Sequence, residues 1–236
     1  VSLGGMSWRQ TLNVHWLVPA DPLLERLPRG VTLECWRGHA VVSLSAFDVE
    51  GPAPRRLLHT PMAPLFHYQQ LDLRTYVQGP EGPGMTLLHT RLDRLTWALG
   101  ARLVGMPYHL DRKLAYSVDD EAVRLRARDL VLDGKVVARP AQTMPIGSLE
   151  WFADERYRFY ASLPGARTLC MKIAHAPWRA RSVELHELRM KDDGQLRLDL
   201  PPASVQVCED VEVVVENAAT FATAVEPAAS GDLAPA

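Results

Sequence analysis

The chain has 236 residues, 47% hydrophobic and 23% charged, an ordinary globular balance that excludes a disordered or fibrous protein. A formal net charge of -2 lacks the basic excess of a nucleic-acid binder. Three widely separated cysteines, Cys35, Cys170 and Cys208, form no CxxC pair, which argues against a disulfide framework or zinc knuckle and leads to the expectation of a reducing cytoplasm.

No stretch approaches the roughly 18 apolar residues of a membrane-spanning helix, so no membrane partner is expected. No charged-then-apolar signal segment opens the chain, and Val1 to Gly5, ahead of Met6, read as an upstream extension. One domain over 8–218 is expected, with flexible ends at 1–7 and 219–236. Asp21 as a cap and Pro22 at the first helical position predict a helix over 21–28, stopped by Pro28 and Gly30. Alternation in Val31–Trp36 and Ala40–Val49 around Arg37-Gly38 predicts a hairpin. Pro52, Pro54, Pro61 and Pro64 make 51–64 a long loop, of the kind that forms lids or rims.

Leu71–Val77 is the informative strand. Leu71, Leu73, Thr75 and Val77 share one face, and Asp72, Arg74 and Tyr76 the other. On an open sheet the polar row would face water. In a closed barrel it would line a binding interior. Gly79–Gly84 is a glycine-rich turn without the Gly-Lys-Ser/Thr ending of a phosphate loop. Leu92, Leu95, Leu99 and Leu103 predict a core helix over 91–104, with Gly100 allowing close approach to a strand. Lys113–Val118, Ala122–Leu132 and Lys135–Ala138 read as strands, with Asp133-Gly134 as a tight turn. Arg124, Arg126 and Arg128 form a solvated stripe, since no aromatic residues interleave with it. Ser148 caps a helix predicted over 148–160, with Leu149, Phe152, Arg156 and Phe159 along one side. Arg156 in that apolar stripe must find a carboxylate, carbonyls or a bound anion. Strands follow at Thr168–Ala174, Val183–Leu188 and Val205–Val215, and Pro227–Ala236 reads as a frayed tail. Many short strands without regular strand–helix alternation predict a mainly β chain with a few helices (α+β), an antiparallel barrel or sandwich.

The chemistry-bearing residues are few. Eight scattered histidines form no His-x-His or His-x-x-x-His pair. His186-Glu187 opens a zincin-like motif, but Met190 stands where the second histidine belongs. No metal and no cofactor are expected. There is no Gly-x-Ser-x-Gly elbow. What remains is a set of guanidinium, phenol and imidazole groups suited to carboxylates and carbonyls: Arg74, Tyr76, Tyr108, His109, Arg156, Tyr157 and His175.

In order along the chain, His15-Trp16, Leu71–Val77, Gly105-Met-Pro-Tyr108, Leu149–Tyr157 and His175-Ala-Pro-Trp178 together resemble the YqjF-like family, conserved bacterial proteins of unknown function. The resemblance covers about Trp8 to Glu187. It implies the acetoacetate decarboxylase-like fold, a β-barrel architecture with a central cavity. Decarboxylases of that fold form a Schiff base through a lysine in a Gly-x-Pro-Lys-Lys pattern. Here Gly105-Met-Pro-Tyr108-His109 stands in its place. Gln70 stands where an acid is common, and Asp72 where the family usually has asparagine. The resemblance therefore implies the cavity without the imine-forming amine.

The expected ligand sites are Arg74, Tyr76, Tyr108, His109, Arg156 and His175. The leading reading is a protein that binds a small organic carboxylate or carbonyl compound, with an anionic ligand in view. An enzyme on such a substrate, or an interaction protein with a filled barrel, are the alternatives. A homo-oligomer is compatible with the sequence.

Overall fold

The structure, a computed structural model, describes residues 4–51, 66–103, 108–137, 139–165, 167–191 and 195–222. The expected loop beyond Gly51, the Gly105–Pro107 stretch and the 227–236 tail lie outside them, as does the close approach expected at Gly100. In chain order the described elements are β1 (Gly4–Val18), α1 (Asp21–Leu24), β2 (Thr32–Leu33), β3 (Cys35–Trp36), β4 (His39–Glu50), β5 (His67–Gly79), β6 (Gly82–Leu92) and α2 (Leu95–Leu103). There follow β7 (Tyr108–Leu110), β8 (Ala115–Val118), β9 (Ala122–Ala127), β10 (Leu130–Val136), β11 (Gln142–Thr143) and α3 (Leu149–Asp154). The last are β12 (Arg158–Leu163), β13 (Arg167–Ala174), β14 (Arg179–Met190), β15 (Ser204–Cys208) and β16 (Val211–Ala222).

Strands β1, β4, β5, β6, β12, β13 and β16 pair in succession, and β16 pairs back onto β1, which closes a ring. Every contact around it is antiparallel except β6 with β12. The second half of β1 also pairs with β15. From there the sheet continues through β14, β10, β9 and β8 as a second layer. This layer lies over the outer faces of β1, β4 and β5. Leu12, Val14, Leu44 and Leu71 from the ring pack with Val123, Leu125, Leu130 and Leu132 from the layer in one buried cluster.

Pleat alternation decides which side chains enter the ring. On β5, Gln70, Asp72 and Arg74 line an interior cavity, while Leu71 and Leu73 join the inter-layer core. The register read from Leu71–Val77 therefore holds. On β1 a bulge between Arg9 and Leu12, with Gln10 at φ 53°, adds a residue and reverses the parity. Met6 and Trp8 line the cavity before it, and Asn13 and His15 join the polar interior after it.

Several expected elements are corrected. The first helix ends at Leu24 rather than 28. Helix α2 starts at Leu95, because Leu92 is paired in β6 with Gln70 and Asp93 accepts a hydrogen bond from the Gln69 N–H. That start changes the helix phase. Leu95 and Leu99 are about half exposed, and Ala98 and Trp97 do the packing. Asp133-Gly134 lies inside β10, whose hairpin with β9 turns at Arg128-Asp129. Gly134 is there for space, since a Cβ would lie 2.6 Å from Val183 Cγ1. The helix expected over 148–160 ends at Asp154, so Arg156 is outside it and Phe159 belongs to β12. Strand pairing also reaches Gly4 and Ala222, past both expected domain limits.

The parallel β6–β12 contact is short, Phe159 to Met85 and Tyr160 to Thr86. Buried Tyr160 lies across the glycine-rich hairpin, and a Cβ on Gly84 would meet Arg158 O at 2.7 Å and Tyr160 Cε2 at 2.8 Å. Gly84→Ala is expected to push β6 from β12 and cost about 1–3 kcal/mol, the usual penalty of overpacking. Urea denaturation should show a lower midpoint with an unchanged slope. A wild-type midpoint would contradict the close approach.

Candidate functional site

Helix α3 supplies the floor of the barrel. Ser148 caps it by accepting the Trp151 N–H at 3.1 Å, and its inward side buries Leu149, Phe152, Ala153 and Asp154. Asp154 is fully enclosed, and Arg74 donates to its Oδ1 at 2.7 Å. Gln206 donates to Oδ2 at 2.5 Å, and His15 Nε2 lies 3.3 Å from the same oxygen. Burial pushes the Asp154 carboxyl up, but His15, Arg74 and Gln206 outweigh it and hold it below the usual range. Burial also works against the Arg74 guanidinium, yet Tyr76, Asp154 and Asp72 keep it charged. The network continues from His15 Nδ1 to Ser43 Oγ at 2.6 Å and from Ser43 to the Tyr76 hydroxyl at 2.6 Å. Arg74 Nε donates to that hydroxyl at 3.4 Å.

Above this floor is a cavity of about 130 Å³. Met85, Leu87, Phe159, Met171, Ile173 and Val213 form its apolar wall, and Gln70, Asp72, Arg74 and Tyr108 its polar pole. Gln70 Nε2 donates to both Asp72 oxygens at 3.0 and 2.8 Å, and the Thr90 hydroxyl donates to Oδ1 at 2.8 Å. Burial pushes the Asp72 carboxyl up to about 6, against the hydrogen bonds from Thr90 and Gln70 and the charge of Arg74. Tyr108 reaches the cavity because β7 pairs in parallel with β6, Tyr108 opposite Thr90. Its phenol hydrogen-bonds Gln70, and burial raises it well above its ordinary range. Together these groups offer a half-enclosed space with an acid, an amide and a phenol at one end.

Of the expected site residues, Arg74 and Tyr108 line the cavity. Tyr76 lies beneath it, fully buried, with its ring against Phe152 at 5.3 Å. Arg156 is corrected: it is buried but points away from the cavity. Its Nε donates to Phe152 O at 2.6 Å and Nη1 to Glu34 at 3.0 Å, and the guanidinium lies over the Phe152 ring at 4.2 Å. It closes the end of α3 through an internal ion pair. His109 is corrected too, because its neighbour Tyr108 takes the inward position and it stacks on His89 at 4.6 Å outside the cavity. His175 is not among the residues lining the cavity: it stacks on Tyr157 at 4.7 Å, lies tilted against Trp178 at 5.2 Å, and is 6.3 Å from Trp8, which does line it. Gln70 and Asp72 were missed as site residues, although the alternation had already put Asp72 beside Arg74. Asp154, His15 and Gln206 gave no local signal. All four lysines, Lys113, Lys135, Lys172 and Lys191, are exposed, and Lys172 pairs with Glu216 at 2.6 Å. Among the described residues no three His, Cys, Asp or Glu side chains gather to hold a metal, and no helix is long and apolar enough to cross a membrane.

Residues 5–212 match the family DUF2071, described as an uncharacterized conserved protein. The chain belongs to the DUF2071 family. The YqjF protein of Bacillus subtilis (strain 168), itself described as uncharacterized, is 29% identical over 184 residues, 75% of each chain. Acetoacetate decarboxylase from Legionella pneumophila superposes with a TM-score of 0.63 at 12% identity, covering 93% of this chain and 88% of its own. The enduracididine biosynthesis enzyme MppR, complexed with the condensation product of pyruvate and imidazole 4-carboxaldehyde, gives 0.63 at 13% identity, covering 93% and 90%. This DUF2071 chain thus has the acetoacetate decarboxylase-like fold. Where the family resemblance places an acid at 70 and an amide at 72, the chain carries Gln70 and Asp72, hydrogen-bonded to each other on the same interior face.

The native Asp72 carboxyl keeps its proton to a higher pH than in the unfolded chain. Stability therefore falls as the pH rises from the ordinary carboxylate range to about 6, and stays reduced above it. Asp72→Asn removes that loss. The variant is expected to exceed wild type by at most about 3 kcal/mol above this transition, two pH units at 1.36 kcal/mol each, and to match it in acid. Denaturant melts across pH check this, and a stability gap independent of pH would contradict it.

Proposed function

We propose that the chain binds a small carbonyl or carboxylic compound inside the barrel, without forming a Schiff base. The observation that carries this reading is the cavity of about 130 Å³ with Gln70, Asp72, Arg74 and Tyr108 converging on its one polar end. An apolar cavity of about 150 Å³ holds benzene, so the space suits a ligand of a few carbon atoms. That volume argues against a filled barrel. The ligand bound by MppR, a pyruvate condensation product, belongs to a compatible chemical class. Arg74 is already matched by Asp154, so a monoanion entering the cavity would be opposed by an ionised Asp72 and accepted by a protonated one. Uptake of the anion is thus linked to a proton on Asp72.

Calorimetric titration with pyruvate tests this. Wild type should bind more tightly below pH 6 than above it, and Asp72→Asn about equally at both. No binding at either pH, or the same pH dependence in Asp72→Asn, would contradict the reading. The absence of an imine is tested separately with acetoacetate and borohydride. The expected mass is unchanged, because no lysine faces the cavity. A trapped adduct on any of the four lysines would overturn that part. A second reading, an enzyme that removes a proton beside a carbonyl, is favoured by the Asp72 carboxyl held near neutrality. It would show as exchange of pyruvate methyl protons in heavy water that Asp72→Asn abolishes.

A further inference from the structure

The inward row of β5 begins at Tyr68 and runs through Gln70, Asp72 and Arg74 toward the floor. Gln70 and Asp72 are hydrogen-bonded to each other, and Arg74 to Asp154. Tyr68 differs from them. It lines the cavity and is only 7% exposed, with its ring against Trp97 of α2 at 5.3 Å and packed in a cluster with Phe47, Val49 and Leu92. Its hydroxyl makes no hydrogen bond among the described residues, and it is not one of the sealed polar atoms of the interior either. Open space therefore stands in front of it.

A buried tyrosine usually sets its hydroxyl against a partner, as Tyr108 does with Gln70. The two phenols and Asp72 lie close enough to feel one another. Burial raises the Tyr68 phenol and the charge of Asp72 adds to it, while burial, Asp72 and Tyr68 together raise Tyr108. Both phenols thus stay protonated at physiological pH. The polar end then makes two separate demands on a ligand. Asp72, when protonated, admits a carboxylate. Tyr68 offers a neutral O–H, a directed donor to an uncharged oxygen. A ligand with a carboxylate alone answers the first and leaves the second dry and unpaired.

We propose that the Tyr68 hydroxyl donates to a second ligand oxygen, so that the barrel cavity selects an oxo acid, with its carboxylate by Asp72 and its carbonyl on Tyr68. This rests on the binding reading above and narrows it: the ligand carries the carbonyl and the carboxylic group together. Tyr68 sets specificity rather than structure, because its hydroxyl holds nothing within the protein. A site built to bond an oxygen discriminates against the analogue that lacks it, since the donor is then buried without a partner.

Pyruvate and propionate are the probes, since both have three carbons and a carboxylate and they differ in the carbonyl oxygen. Calorimetric titrations of wild type and Tyr68→Phe just below pH 6, with thermal melts of both proteins without ligand, test the assignment. Wild type should bind pyruvate more tightly than propionate. Tyr68→Phe should weaken pyruvate roughly two- to tenfold, the range of one neutral hydrogen bond, and leave propionate unchanged. The variant without ligand should melt no lower than wild type. A lower melting temperature would show that the hydroxyl has a partner in the protein, and would overturn the inference. Equal weakening of both ligands would put the phenol on the carboxylate and overturn the oxo-acid class. If wild type binds both and Tyr68→Phe changes neither, the inference falls while the cavity reading stands. If wild type binds neither, both fall.

Discussion

The buried ion pair between Arg74 and Asp154 is the constraint on which the rest of the site depends. Both side chains are enclosed, so each has lost its water, and each would be costly to leave alone. Their 2.7 Å contact joins a barrel strand to the last residue of α3, elements eighty positions apart in sequence. Gln206 and His15 occupy the second oxygen of the carboxylate, and Ser43 and Tyr76 tie His15 back to the arginine side. These contacts constrain one another, so the network holds α3 across the floor of the barrel. It also holds Arg74 where it borders the cavity.

Because Asp154 neutralises Arg74, the polar end of the cavity is not simply cationic. Asp72 shares the space with no direct ion pair among the described residues, held by an amide and a hydroxyl, and burial keeps its carboxyl protonated to a higher pH than usual. The polar end of the cavity therefore holds one titratable carboxyl beside a guanidinium that is already matched. No lysine is among the residues that line the cavity, and all four lysines of the chain are exposed.

The strand at the centre of the site was legible because a period of two is robust. Leu71 and Leu73 had to find a core, and Asp72 and Arg74 were carried to the other face with them. The closed ring itself came from the family resemblance, since alternation alone suits an open sheet equally well. Helices were read less well. Leu92 fits the spacing of α2, yet it is taken by strand pairing, and the phase of the helix changes with it. Arg156 was rightly read as buried, but from a helix that had already ended. Its partner Glu34 is 122 positions away, beyond the reach of any local pattern. Asp154 looked like an ordinary polar residue near a helix end, because its importance comes from three long-range partners. His109 and Tyr108 are adjacent, and only the β6–β7 pairing decides which turns inward.

The dependence of the barrel floor on one buried pair is tested most directly by a double-mutant cycle with Arg74→Met, Asp154→Leu and the double variant. Each single change strands a buried charge and should cost about 3–5 kcal/mol, while the double change removes both charges. The double variant should therefore be no less stable than either single one, a coupling of several kcal/mol. Costs that simply add would mean that the two groups act independently, and would contradict the account.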